Sequence, residues 1–176
     1  MTKFRLAHLG LALAALGFTA AVPVVGLAPA YAAETLRPEV GKPLQEAQQL
    51  MKQGKNKEAM SKLRELDKVS GKSPNETYLI ERTRAGAASA AGEYETAAKA
   101  FEYLIGSGKL SASEKAQFSE GLIGLYMRAG DLGKANAAIE RQLKEHDDPK
   151  LRAYLMQNYY KQGNVAALDG ELRNAE

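Results

Sequence analysis

The sequence predicts an all-α protein, an α-solenoid of about four antiparallel helix-turn-helix units. One apolar pattern occurs four times, each copy centred on a glycine, with spacings of 38, 38 and 33 residues. These glycines are Gly54, Gly92, Gly130 and Gly163. Repeats of this length indicate stacked supersecondary units, and no segment shows the period-2 alternation of a strand. Such stacks usually serve binding rather than chemistry.

Side chains of similar size recur at fixed distances from the glycines. Five residues after the first three glycines stands an alanine: Ala59, Ala97 and Ala135. Nine residues after each glycine stands a large apolar residue: Leu63, Phe101, Ile139 and Leu172. Four residues before them stand Leu50, Ala88, Tyr126 and Tyr159. A short turn makes the two helices of a unit antiparallel, so we expect the alanines where the helix axes cross.

The first 32 residues have the features of a secretory signal peptide. Lys3 and Arg5 form a basic start, residues 9–22 are almost wholly apolar, and the segment Ala30-Tyr31-Ala32 places small residues at a cleavage site. The alternative is an uncleaved membrane anchor. Two prolines, at positions 23 and 29, interrupt the apolar segment before it is long enough to span a membrane comfortably. We therefore expect cleavage and no stable membrane span after processing.

The composition of the processed chain limits its compartment and its partners. The chain has no cysteine, so an exported form would contain no disulfide. Of the 24 basic residues, two lie in the leader, which leaves 22 against 21 acidic residues. A nucleic-acid-binding protein concentrates basic charge on one face, and no basic block occurs here, so we expect no nucleic acid partner. The bacterial periplasm is the expected location, with secretion as the alternative.

The remaining chain is expected to form a short linker and one repeat domain. Residues 33–42 form the linker, because Pro38, Gly41 and Pro43 discourage regular structure there. The repeat domain covers residues 43–176. Its units are predicted at 43–73, 74–110, 111–147 and 148–176.

Helix-capping residues mark where three of the units begin. Ser73 with Glu76, and Ser111 with Glu114, have the spacing of a capping box. Asp148 precedes a proline, which is suited to the first helical position. These residues predict the starts of the first helices in the second, third and fourth units.

The repeated positions resemble the tetratricopeptide repeat. The family's leucine, tyrosine, glycine, alanine and bulky apolar positions are matched in order by Leu122, Tyr126, Gly130, Ala135 and Ile139. The resemblance covers residues 43–176, although the spacings of 38 exceed the family's usual 34 and the family's tryptophan is absent. The resemblance implies an interaction scaffold in which the first helix of each unit lines a concave groove. Separately, we expect no cofactor.

The register of the repeats predicts which residues line this groove. They are Gln48, Lys52, Arg82, Gly86, Ser89, Gln117, Gly124, Arg128, Gln157, Tyr160 and Lys161. Three cations, Lys52, Arg128 and Lys161, each stand two residues before a turn glycine. Two interpretations are open: a basic ladder that binds carboxylates, or cations that offset the helix dipole.

Gly86 and Gly124 occupy the same repeat position, 38 residues apart and inside predicted helices. Each is expected to cost about 1 kcal/mol relative to alanine. Either the groove floor lacks side chains there so that a ligand backbone can approach, or neighbouring helices pack closely. The sequence leaves both interpretations open.

The sequence shows no catalytic or metal-binding motif. The segment Ser70-Gly71-Lys72-Ser73 ends like a phosphate-binding loop, but Leu66 replaces the first glycine of that motif and no strand precedes it. After removal of the leader only one histidine remains, His146, and a metal site needs several convergent ligands. We therefore expect no catalytic residues and no metal.

These observations predict a non-catalytic, exported scaffold that binds a protein or peptide partner in the bacterial cell envelope. The alternative is an accessory subunit of an envelope enzyme or polysaccharide machine that contacts glycan, for which Tyr160 offers an aromatic ring. The apolar residues of the last unit, Val165, Leu168 and Leu172, also suggest a homo-oligomer formed through that unit.

Overall fold

The computed structural model describes residues 36–174, and over this range it contains eight α-helices and no strand. The helices are α1 (Pro38–Lys52), α2 (Asn56–Glu65), α3 (Pro74–Ala91), α4 (Tyr94–Gly106), α5 (Ala112–Ala129), α6 (Leu132–Glu145), α7 (Pro149–Gln162) and α8 (Val165–Asn174). A 3₁₀ turn, Leu66–Lys68, follows α2. The predicted all-α class is confirmed. The predicted signal peptide and the first residues of the predicted linker lie outside the described residues.

Helices that follow one another in the chain pack against one another. Each helix from α1 to α7 contacts the next one, and α1 also contacts α3. The described chain is therefore a row of helix hairpins with a core that runs along its length. No helix within residues 36–174 combines the length and hydropathy that a membrane span requires.

The four repeated glycines form the turns inside the hairpins. Their φ angles lie between +67° and +78°, in the left-handed region that glycine adopts without strain. At Gly130, for example, the chain reverses so sharply that the next N–H, of Asp131, donates to the carbonyl oxygen of Tyr126 at 2.9 Å. The prediction that these glycines are inter-helix turns is confirmed.

The predicted capping residues begin the helices expected of them. The Ser73 hydroxyl accepts from the Glu76 N–H while the Glu76 carboxylate accepts from the Ser73 N–H, and Ser111 and Glu114 make the same reciprocal pair. The Asp148 carboxylate accepts from the first turn of α7. These local bonds satisfy backbone donors that would otherwise lack partners, and so they fix where α3, α5 and α7 start.

The first helix begins earlier than predicted. Residues 38–42, expected to be linker, form the first turn of α1, and Pro43 lies inside the helix. Pro38 stands at the first helical position, where a missing N–H costs nothing. Val40 is fully buried in the core, and the Arg37 N–H before the helix is bonded to Glu76. Tertiary burial therefore overrides the local effect of the prolines.

The alanines expected at the helix crossings are at the centre of the core. Ala59, Ala97 and Ala135 are all 0% exposed. The large residues four positions later are also buried in the first three units, and Phe101 packs on the ring of Phe118 at 4.7 Å between centroids. The last unit differs, because α8 has no buried residue among those described.

Candidate functional site

A groove of about 1110 Å³ runs along α5 and is the candidate site. Its walls come from the end of α4, from α6 and from the start of α7. We call it the α5 groove. Its lining includes Gln117, Glu120, Gly124 and Arg128 of α5, with Lys150 and Tyr154 of α7.

Three of the residues predicted to line a groove, Gln117, Gly124 and Arg128, lie in the α5 groove. All three belong to α5. The other predicted residues are not part of this lining: Gln48, Lys52, Arg82, Gly86, Ser89, Gln157, Tyr160 and Lys161. The structure thus brings together the predicted residues of one unit and leaves those of α1, α3 and α7 outside.

The two glycines at the same repeat position have different surroundings. A Cβ atom at Gly86 would lie 3.0 Å from the terminal methyl carbon of Met51, so this glycine allows close packing of α1 on α3. A Cβ atom at Gly124 would have no atom of the described residues within 4 Å, apart from its own helix turn and chain neighbours. Of the two interpretations, close packing applies to Gly86, and an open groove floor applies to Gly124.

A third glycine, Gly121, shows the packing role three residues earlier, on the same side of α5. A Cβ atom there would lie 2.8 Å from Cε1 of Phe101, closer than such contacts occur. Phe101 is almost fully buried, so its ring has little room to move. Gly121 therefore lets α4 approach α5, whereas Gly124, three residues later, opens toward the groove.

Several of the residues predicted to line the groove on α1 and α3 contact other groups of the protein. The Gln48 amide Nε2 donates to Oγ1 of Thr83 at 3.4 Å. The Ser89 hydroxyl donates to the Ala85 carbonyl oxygen at 2.6 Å. Together with Met51, which lies over Gly86, these contacts engage Gln48 and Ser89 within the fold.

Arg82 connects α3 to α5. Its guanidinium donates to the Tyr78 hydroxyl at 2.9 Å and to Oε1 of Glu114 at 3.0 Å. It also lies 6.0 Å from the centroids of the Tyr78 and Phe118 rings. Backbone and side-chain hydrogen bonds from Ser111 and Arg82 lower the pKa of the Glu114 carboxyl. Arg82 is thus held in a contact between two units.

Of the three cations in the predicted ladder, only Arg128 lines the α5 groove. Its guanidinium lies 5.7 Å from the centre of the Tyr94 ring. Lys52, Arg128 and Lys161 are all exposed, and each is in the last turn of its helix. Their shared place at helix C-termini fits the dipole interpretation.

Three groove residues on α7, Lys150, Leu151 and Tyr154, were not predicted from the sequence. Lys150 stands thirteen residues before its turn glycine, as Gln117 does in the preceding unit, so the repeat register could have found it. Tyr154 is half-buried. The same repeat position in the preceding unit is Gly121, which has no side chain, so the repeat register could not have predicted a lining side chain there. The Lys150 ammonium lies 6.0 Å from the Tyr154 ring centre.

The charges of the groove are mixed, but some carboxylates already have partners. The Tyr126 hydroxyl donates to Glu102, and burial together with this carboxylate raises the pKa of Tyr126. Asp148 accepts from the Lys150 N–H at 2.8 Å as the cap of α7. Two further carboxylates of the lining, those of Glu120 and Glu145, are exposed. Among residues 36–174, no group of three His, Cys, Asp or Glu residues is placed to hold a metal ion.

No family model matches the chain, and neither the curated proteins nor the solved structures contain a significant match. The tetratricopeptide resemblance therefore remains an expectation from the sequence. The site has to be interpreted from its own geometry.

Proposed function

We propose that this protein is a non-catalytic scaffold that binds a protein or peptide segment in the α5 groove. One observation carries the proposal: Gly124 keeps an open backbone in the middle of α5, inside a groove of about 1110 Å³. A glycine inside a helix costs about 0.5–1 kcal/mol relative to alanine. A Cβ atom at Gly121 would overlap the Phe101 ring and one at Gly86 would touch the Met51 methyl group, whereas one at Gly124 would meet no such neighbour among the described residues. Close approach of a ligand backbone accounts for Gly124.

The lining of the groove suits a peptide better than a small polar molecule. Half-buried apolar side chains, Ile105, Met127 and Tyr154, lie among charged ones. Peptide-binding grooves combine apolar pockets that bind side chains with a few polar groups that set orientation. The exposed Gln117 amide and the Glu120 carboxylate offer such groups at one edge. An extended or helical segment with both apolar and charged residues fits this surface.

We further propose that the chain is a tetratricopeptide-like solenoid. The two best-defined units support this: α3 and α5 each have 18 residues, each begins at a serine capping box, and each ends at a left-handed glycine.

We also propose that the leader is removed and that the protein works in the periplasm, or alternatively outside the cell. Mass spectrometry of the N-terminus from envelope fractions tests this; retention of residues 1–32 would contradict it.

Site-specific cross-linking in cells tests the binding proposal. A photo-reactive residue replaces Gln117 in the groove or, as a reference, the exposed Lys99 on α4. We expect a partner to cross-link at position 117 and not at 99. Gly124→Leu places a side chain on the groove floor and should abolish the cross-link.

Gly133→Leu is the matched control, because Gly133 lies exposed near the start of α6 and outside the groove lining. Its Cβ atom would make an ordinary contact of 3.7 Å. Circular dichroism confirms that both variants are folded. An equal cross-link yield for folded Gly124→Leu and wild type would reject the groove as the binding site.

Glycan binding is the second candidate, supported by Tyr160, which is 76% exposed. An exposed aromatic ring can stack on a sugar. Co-sedimentation with insoluble envelope polysaccharide distinguishes the two candidates. Glycan binding predicts retention that Tyr160→Ala abolishes and Gly124→Leu leaves unchanged. Peptide binding in the groove predicts no retention.

A further inference from the structure

The outer side of α8 is apolar and uncovered, unlike the same positions in earlier units. Leu172 is 51% exposed, whereas its counterparts nine residues after a turn glycine, Leu63 and Ile139, are 0% exposed. Val165 is 64% exposed and stands seven residues before Leu172, so the two share one helix face. In earlier units the next helix pair packs beside this position. Among the described residues, α7 is the one helix with which α8 makes more than marginal contact.

The other end of the row has a different surface. From Lys42 onward, all exposed residues of α1 are polar: Lys42, Gln45, Glu46, Gln49 and Lys52. An α8 face of one copy would therefore meet a polar surface if copies stacked head to tail. Packing α8 against α8 brings the two apolar faces together instead.

The charges on α8 are complementary to a second α8. Asp169 and Arg173 are both exposed and stand four residues apart, on one flank of the apolar face. When two helices pair antiparallel about a two-fold axis, the same flanks face each other, so an acid of one copy meets a base of the other. Glu171 does not compete, since its carboxylate accepts from Arg152 at 3.1 Å.

We propose that a second copy of this chain covers α8, forming a two-fold dimer with antiparallel α8 helices. Leu172 lies near its two-fold axis, Val165 lies toward the edge of the contact, and Asp169 of each copy pairs with Arg173 of the other. Such a contact uses the same patch on both copies and closes after two. None of these residues lines the α5 groove, so the dimer is independent of the proposed peptide site.

Sedimentation equilibrium of the chain as it accumulates in cells, with its N-terminus identified by mass spectrometry, tests the dimer. We expect two copies for wild type. Asp169→Arg and Arg173→Asp should each raise the dissociation constant of the dimer by about tenfold or more, since each creates like-charge contacts. The double swap Asp169→Arg with Arg173→Asp restores charge complementarity across the axis. It should return the dissociation constant of the dimer to within about threefold of the wild-type value.

Leu172→Ser should also weaken the dimer by at least about tenfold, because it removes apolar contact at the centre. Tyr103→Ser is the control, because Tyr103 is likewise exposed and apolar but lies on α4. Circular dichroism separates loss of the dimer from unfolding of α8. The proposal would be overturned if wild type is a monomer at about 100 μM. At this concentration even a dimer of micromolar affinity would be associated. A double swap no better than the single changes would overturn it as well.

Discussion

The hydroxyl of Tyr159 on α7 donates a 2.6 Å hydrogen bond to Oε1 of Glu140 on α6. Tyr126 on α5 makes the equivalent bond to Glu102 on α4. Both tyrosines stand four residues before a turn glycine, and both glutamates stand ten residues after one. Burial, the first cause, and the neighbouring carboxylate raise the pKa of both tyrosines. The same contact thus joins α4 to α5 and α6 to α7.

The interface between α2 and α3 uses other residues at these positions. Ala88 replaces the tyrosine and Arg64 replaces the glutamate. The Arg64 guanidinium instead pairs with the Glu93 carboxylate, just after the next turn glycine, at 2.6 Å. A polar contact therefore occurs at all three interfaces, although different residues make it between α2 and α3.

Removing one tyrosine hydroxyl should weaken its interface. Tyr126→Phe should lower the free energy of unfolding by about 1–2 kcal/mol, because a hydrogen bond to a carboxylate is lost. The measurement is urea denaturation followed by circular dichroism. Tyr103→Phe on exposed α4 surface is the control and should change stability by less than about 0.5 kcal/mol. Equal effects of the two changes would contradict a stabilising role for the Tyr126–Glu102 contact.

Stability should depend on pH through Glu76. Its carboxylate accepts from Arg37 side-chain nitrogens at 2.9 and 3.0 Å and from the Ser73 N–H at 2.8 Å. These bonds, the one to the Arg37 side chain first, lower the pKa of Glu76 from 4.5 to about 2. Because the folded state holds this group ionised, its contribution is full above pH 4.5 and is lost as pH falls toward 2.

The variant Glu76→Gln isolates this contribution. Its melting temperature should lie below that of wild type above pH 4.5, and the difference should shrink as pH falls toward 2. Glu95→Gln, at an exposed first-turn position of α4 that makes no ion pair among the described residues, controls for the loss of one charge. If the wild-type and Glu76→Gln melting curves stay parallel from pH 6 to pH 2, the ion pair has no such role.

Two glycines three residues apart on α5 should respond oppositely to alanine. Gly124→Ala should stabilise the protein by about 0.5–1 kcal/mol, because the added methyl meets no described atom and the helix gains propensity. Gly121→Ala should destabilise it by about 1–3 kcal/mol, because the methyl would overlap the buried Phe101 ring. Chemical denaturation measures both. Changes of the same sign would contradict the assigned surroundings of the two residues.

The interface between α6 and α7 contains a buried polar pair that earlier units lack. Asn158 is 0% exposed and donates to Oδ1 of Asn136 at 2.8 Å, while its own Oδ1 accepts no hydrogen bond within the described residues. The corresponding residues of the preceding interface are Leu125 and Ala98. The pair therefore costs stability that an apolar contact would not.

Replacing both asparagines should remove this cost. Asn136→Ala alone should destabilise the protein by about 1–3 kcal/mol, because the Asn158 amide loses its acceptor. Asn158→Leu combined with Asn136→Ala recreates the preceding interface and should be at least as stable as wild type. Thermal unfolding of the three proteins measures this. A double variant less stable than Asn136→Ala alone would be evidence against the assignment.

The helices could be predicted because their signals are local. Ser73 and Ser111 precede their capping partners by three residues, and each turn glycine lies beside the helix that it ends. The start of α1 could not be predicted in this way. It depends on burial of Val40 and on the bond from Arg37 to Glu76, which is 39 residues away in the chain.

The candidate site could be predicted only in part, for the same reason. Repeat register placed Gln117, Gly124 and Arg128 on one side of α5. It could not show that Arg82 pairs with Glu114 on the next unit, or that Met51 covers Gly86. Those contacts depend on the distance between neighbouring helices, which cannot be derived from the spacing of residues in the sequence.

The most direct test of the groove as a binding site is the affinity of the partner that cross-links at position 117. Its dissociation constant should be measured by titration with wild type, Gly124→Leu and Gly133→Leu. A side chain on the groove floor should raise the dissociation constant by at least about tenfold for Gly124→Leu, with no change for Gly133→Leu. The same dissociation constant for wild type and a folded Gly124→Leu would contradict binding over the open backbone of α5.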